Sequence, residues 1–203
     1  MTTAHSINVS EVLKDDRQLR SLIGLGRDEF EKLLNEFIPC LKENQSKNRK
    51  GKLKKRRQRK IGGGRKSALG LPENQLLFIL FYLKSYPTYD VLAFTFNISR
   101  GCAFESVQRL LPILKHTQKN LKVLPKRTTD DPQEFLQLIE SVDHVLIDAT
   151  ERPIQRPQKP ARQKKHYSGK KRFHTVKNTT VSDLDKRILI LGKTVPGSQH
   201  DYS

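Results

Sequence analysis

The chain has 203 residues, 35% hydrophobic and 30% charged, with a formal net charge of +18 and a pI near 10.1. That length holds one or two domains with small cores. The charge favours a polyanionic partner, because each phosphate neutralised releases a condensed counterion. Nucleic acid is therefore expected and a membrane is not: the longest apolar run, residues 76–83, is too short to span a bilayer. Residues 1–9 are polar, without the apolar centre of a secretory signal. Cys40 and Cys102 have neither a disulfide-framework nor a zinc-site spacing, which fits buried thiols in a reducing cytoplasm.

Over residues 27–41 the apolar positions Phe30, Leu33, Leu34, Phe37, Ile38 and Leu41 form a 3.6-residue stripe. Asp28, Glu29 and Glu31 sit near the positive end of that helix. Residues 47–66 then hold twelve Lys or Arg and no acid, and close on Gly62-Gly63-Gly64-Arg65-Lys66. Such a block cannot bury itself and reads as a disordered arm that orders along DNA. Lys54, Lys55, Arg56 and Arg57 would meet phosphates. Arg65 and Lys66 follow glycines, where an Arg can enter a narrow minor groove. A solubility tail or a localisation signal is the alternative.

Helical periodicity resumes at Pro72 with Leu76, Leu77, Ile79, Leu80 and Leu83, and ends before Pro87. A short helix fits residues 89–96, Asn97-Ile98 makes a turn, and Ser99 is placed to cap a third helix through Val107, Leu110, Leu111 and Leu114. Pro112 implies a kink there or a break into two helices. This is the arrangement of a helix-turn-helix. The residues facing a major groove would be Arg100, Ala103, Phe104, Ser106 and Gln108. Arg can read guanine and Gln adenine, each through two hydrogen bonds, while Phe104 packs on a thymine methyl or in the core.

After residues 128–132 comes a helical turn or two at 133–140. The β-branched run 142–147 reads as a strand that ends in Asp148, where a carboxylate would face solvent and a metal. A basic, proline-punctuated stretch, residues 152–172, leads to two more strands, 173–181 and 187–191, joined by a hairpin loop. The fold class is α+β, in four parts: an N-terminal helical segment (1–45), the basic arm (46–68), the helix-turn-helix (69–128) and an antiparallel three-strand portion (129–203).

Three stretches carry a family resemblance: residues 148–154 (Asp148-Ala149-Thr150-Glu151-Arg152-Pro153-Ile154), residues 167–177 from Tyr167-Ser168-Gly169 to His174-Thr175-Val176-Lys177, and Pro196-Gly197-Ser198-Gln199-His200-Asp201. In this order they resemble the start of the catalytic domain of bacterial insertion-sequence transposases of the DDE type, relatives of the Harbinger transposases. Residues 76–114, with Tyr86-Pro87-Thr88 and Phe96-Asn97-Ile98-Ser99, resemble the helix-turn-helix found upstream in that family. The resemblance implies an RNase H-like fold in which three carboxylates hold two magnesium ions. Two such ions would activate the nucleophile and stabilise the leaving oxygen of a phosphodiester. It makes Asp148 the first carboxylate and catalytic residue, and puts Lys170, Lys171, His174 and Lys177 near the DNA backbone.

The chain departs from the family pattern after its third strand. Asp201 falls where the first helix should begin, although spacing alone would also allow it as the second metal ligand, and the final Glu has no counterpart. The expectation is an incomplete catalytic domain, inactive alone, either truncated by mutation or the first product of a frameshifted two-part gene, with a homo-oligomer or a second transposase polypeptide as its protein partner. Its DNA partner would be the terminal repeats of a transposable element, and its compartment the bacterial cytoplasm, at the nucleoid. The competing readings are a non-catalytic DNA-binding fragment that regulates transposition, and a basic RNA-binding protein. The second is disfavoured because aromatic residues are few (7%) and not interleaved with the basic run.

Overall fold

The computed structural model describes residues 7, 9–46, 69–127, 132–140, 142 and 144–199. The basic arm, with Lys54, Lys55, Arg56, Arg57, Arg65 and Lys66, lies outside the described residues, as does Asp201. The chain divides into two units, the first ending at Val123 and the second beginning at Leu124.

The first unit is helical: α1 (Val9–Val12), α2 (Asp16–Ile23), α3 (Arg27–Ser46), α4 (Pro72–Ser85), α5 (Tyr89–Thr95) and α6 (Arg100–Asn120). Local chemistry sets the boundaries. Asp15 caps α2 by accepting from the Gln18 amide at 3.1 Å, and Gly24, at φ 80°, ends it in the left-handed conformation that glycine adopts without strain. At the start of α3 the Glu29 carboxylate accepts from the Gly26 amide at 2.7 Å. Pro72 opens α4 at a position where its missing N–H would be unpaired in any case.

Helix α4 is the axis of this unit. Leu76, Leu77, Phe78, Ile79, Leu80 and Tyr82 are buried around most of its circumference, so a one-sided stripe is not enough to describe it. Leu83, expected in the apolar set, is instead exposed. The core extends to Leu19 and Ile23 of α2, Phe30 and Phe37 of α3, Leu92 of α5, and Val107, Leu110 and Leu114 of α6. The N-terminal helices thus share one hydrophobic cluster with the helices that follow the arm. Each such side chain contributes about 1.5–3 kcal/mol by leaving water.

A polar bridge crosses this core. Gln75 donates to the Gly70 carbonyl at 3.0 Å and accepts from Arg109 Nη1 at 3.1 Å. Burial pushes the Arg109 pKa down, though a guanidinium stays charged. Pro112 does not break α6, which runs unbroken from Arg100 to Asn120.

The second unit contains α7 (Pro132–Ile139), β1 (Leu146–Pro153), α8 (Pro160–His166), β2 (Tyr167–Ser168), β3 (Phe173–Ser182), β4 (Ile188–Leu191) and β5 (Val195–Pro196). All its strand pairings are antiparallel and all are to β3. β1 runs along one edge from Leu146↔Ser182 to Pro153↔Thr175. With that edge taken, β4 and β5 pair along the other, at Thr180↔Leu191 and Lys177↔Val195. The three expected strands are therefore present, with the middle one as spine. Among the described residues of this unit the buried apolar ones are Val181 and Ile190, while Ser168, Thr175 and Asn178 are buried polar residues. Asn178 is satisfied by Arg152, Gly192 and Thr194 at 2.5–3.0 Å.

One expectation changes. The first strand does not occupy residues 142–147; β1 begins at Leu146 and continues through Asp148 to Pro153. Ladder partners decide this: residues 175–182 of β3 offer a complete register to 146–153, and pairing outranks local hydrophobicity. The proline-punctuated stretch holds a helix that sequence patterning leaves unassigned. Pro160 serves as the first residue of α8, the role that suits proline in a helix.

Candidate nucleic-acid interface

The turn between α5 and α6 is built from hydrogen bonds. The Phe96 amide donates to the Leu92 carbonyl at 3.1 Å, and Ile98 donates to Ala93 at 2.9 Å. Asn97 takes φ 50°, a conformation that asparagine tolerates better than most residues. Ser99 is extended and its hydroxyl accepts from the Cys102 amide at 3.2 Å, so the expected cap is formed.

From that cap, Arg100, Phe104 and Gln108 follow at four-residue spacing on one exposed face of α6. Ala103 and Ser106, also expected toward a groove, are buried. They belong with Val107, Leu110 and Leu114 on the side that packs inward. Arg100 is 71% exposed, with its Nε 3.5 Å from Asp90. An ion pair so exposed is weak and yields readily to a stronger acceptor.

Phe104 is 48% exposed and meets Tyr89 edge-on at 5.4 Å, and Tyr89 stacks on Tyr82 at 6.1 Å. Burial, then hydrogen bonds with Tyr89 and Tyr86, hold the Tyr82 hydroxyl well above the ordinary tyrosine range. This aromatic run ties the exposed face of α6 to α4 and α5.

In the second unit Asp148 is the third residue of β1, in register with Thr180 of β3. Its side chain is exposed; Oδ1 accepts from the Ala149 amide at 2.8 Å. Alternation along β1 puts Glu151 on the opposite face, so the two acids do not converge. Burial disfavours the charged form of Glu151, but the Ser168 and Thr175 hydroxyls together with Lys177 and Lys171 outweigh it, and the carboxyl titrates below its ordinary value. A hard divalent ion would find a suitable first ligand in Asp148. Among the described residues, however, no group of three side chains can hold a metal ion, so the ligand set is not complete there.

The basic candidates are divided by the sheet. Lys170 and Lys171 lie exposed in the turn between β2 and β3. His174 and Lys177, three residues apart on β3, face opposite sides. Lys177 reaches the Gln199 carbonyl at 3.1 Å. His174 shares its face with Thr180, hence with Asp148, and its ring meets Tyr167 at 5.6 Å. Arg156, Gln163, Lys164 and Tyr167 gather around His174, and sequence patterning does not single them out. Their signal, Tyr167 at the head of a basic motif, is visible only once α8 is known to fold back. No helix among the described residues is long and apolar enough to cross a membrane.

A capped helix-turn-helix in one unit, and in the next an antiparallel sheet whose first strand carries an exposed aspartate, define a two-part class. The family models separate in the same way: residues 67–119 match the helix-turn-helix of DDE superfamily endonuclease, and residues 147–203 match the DDE superfamily endonuclease itself. Together with the relative below, these matches support a DDE-type insertion-sequence transposase with the helix-turn-helix placed N-terminally. It is 28% identical over 187 residues to a protein of Microchaete diplosiphon named "Probable transposase for insertion sequence element IS702". That alignment covers 92% of this chain and 58% of the relative, so the chain spans under two thirds of that protein's length. No solved structure matches it significantly.

Proposed function

We propose that the chain is a transposase that binds the terminal repeats of its own element through α6. The supporting observation is the exposed row Arg100, Phe104 and Gln108 on a helix capped at Ser99, in a chain of net charge +18. Base reading falls to that row, and phosphate neutralisation to Lys54, Lys55, Arg56, Arg57, Arg65 and Lys66. Lys170, Lys171, His174 and Lys177 add backbone contacts in the second unit. The labour divides among a helical support (1–45), the arm (46–68), the reader (69–128) and the catalytic portion (129–203).

In this reading Asp148 is the catalytic carboxylate that would ligate Mg²⁺, with Asp201 as a second candidate ligand. Bound magnesium would supply charge stabilisation for phosphodiester cleavage and strand transfer. The work of this chain's own residues is to hold and orient the DNA. A second copy, or a second transposase polypeptide, is the expected protein partner. Its place is the cytoplasm, on nucleoid DNA. Footprinting the 203-residue protein on the ends of its element tests the reading. Protection of a discrete site within each repeat is expected, whereas uniform protection along any duplex would count against it.

A further inference from the structure

Arg156, Gln163, Lys164, Tyr167 and His174 line an open cleft of about 400 Å³ formed by the segment before α8, α8 and the β2–β3 hairpin. The size is within the range of small-ligand sites. Its walls are chemically sorted. Tyr167 and His174 are cross-strand partners whose rings meet edge to face, and Tyr167 is 45% exposed, which leaves ring surface open to a ligand.

Gln163 is fully engaged. Its Nε2 donates to the Pro157 and Gln158 carbonyls at 2.8 and 3.5 Å, and its Oε1 accepts from Arg156 Nη2 at 3.0 Å. The guanidinium is thus held at the rim with other donors to spare. Lys164 adds a second cation, and no acid occurs anywhere from residue 152 to residue 182.

A pre-positioned guanidinium suits a phosphate, to which it can donate two parallel hydrogen bonds. An exposed tyrosine ring suits the face of a base. A base inside a duplex has no free face to offer, so the complementary ligand is an unpaired nucleotide. We infer that this cleft binds one unpaired nucleotide of a DNA strand, its base on Tyr167 and its phosphate on Arg156 and Lys164. The inference rests on the DNA-binding reading above and adds to it a site and a state of the substrate.

The position fits a strand that also passes Asp148. His174 lies six residues from Thr180 on the same face of β3, and Thr180 is the register partner of Asp148. Six residues of strand measure roughly 20 Å. At the duplex rise of about 3.4 Å per nucleotide that distance is about six nucleotides, and fewer where the strand is unpaired and extended.

Fluorescence anisotropy of the 203-residue protein tests this with three probes: a thymidine oligomer of about twelve nucleotides, the same oligomer with its bases removed, and a duplex of equal length. Tyr167→Ala is expected to weaken the thymidine oligomer about tenfold and to leave the duplex unchanged, while Tyr167→Phe binds both like wild type. The abasic oligomer should bind wild-type protein as weakly as the intact one binds the Ala variant, a comparison that needs no substitution to fold. Equal loss on duplex and single strand, no loss on either, or abasic binding as tight as intact binding would overturn the inference. Tyr167-dependent binding of the single strand by a protein that does not bind the duplex at all would instead refute the duplex-binding reading of the helix-turn-helix alone.

Discussion

Replacing Ser99 by Ala isolates the contribution of one hydroxyl to the placement of α6. In the first turn, the Ala103 amide is bonded to the Ser99 carbonyl at 2.9 Å and the Cys102 amide to the Ser99 hydroxyl at 3.2 Å. No acid stands in that turn to support the helix dipole. Removing the hydroxyl leaves the Cys102 amide without its acceptor, and loss of such a cap costs about 0.5–2 kcal/mol, centred near 1. For a unit of this size each kcal/mol moves the melting temperature by roughly 4–8 °C.

The comparison set is Ser99→Ala, Ser99→Gly and Ser99→Asp. Glycine at a cap costs only a few tenths of a kcal/mol, and Asp restores an acceptor and adds a favourable charge. The expected order of stability is Asp at or above wild type, then Gly, then Ala. Far-ultraviolet circular dichroism in urea reads it out, since six of the eight helices among the described residues lie in the first unit. Ala equal to wild type, or Gly below Ala, would refute the assignment of Ser99 as the cap.

Gly197→Ala should loosen the second unit by about 1–3 kcal/mol. A Cβ at Gly197 would fall 1.8 Å from the Thr175 hydroxyl and 3.0 Å from its carbonyl, which the Gly197 amide uses. Hydrogen exchange should therefore accelerate at residue 197, and unchanged protection would oppose this. Glu151 titrates below its ordinary value of 4.5. Its contribution to stability is complete above that value and disappears as the pH falls through the lower, folded-state pKa. The gap in urea midpoint between wild type and Glu151→Gln should close over that acidic window; a gap that widened toward low pH would contradict the sign. Neutralising Lys54, Lys55, Arg56 and Arg57 should weaken all duplexes alike and flatten the salt dependence by about 0.9 for each phosphate no longer neutralised. A steeper dependence would argue against phosphate binding by the arm.

Sequence periodicity and end signals locate α3 to α6, with Pro72 opening α4 and Ser99 capping α6, whereas the short α1 and α2 are not singled out by it. Orientation is harder to read there. Ala103 and Ser106 are small, and nothing in a single sequence says whether a small residue fills a core or borders a groove. In the second unit local signals carry less. The apolar run ahead of Asp148 is attractive as a strand, yet the pairing with β3 lies farther along, among threonines and charged residues.

α8 is hidden for a related reason: prolines mark both breaks and helix starts, and only the returning chain distinguishes them. The face shared by Asp148 and His174, and the separation of His174 from Lys177, follow from the register alone. Once β3 is known to be the spine, parity sorts every residue on it. Before that, the basic residues after Asp148 read as one undivided surface.

Selecting duplexes from a random pool with wild-type protein, and again with Arg100→Ala and Gln108→Ala, bears most directly on the claim that α6 reads sequence. Wild type should enrich one short site, and each variant should relax it at a different base pair at about 1–3 kcal/mol of lost discrimination, with its nonspecific affinity nearly intact. The claim fails if no site emerges, or if the same site emerges unchanged from both variants.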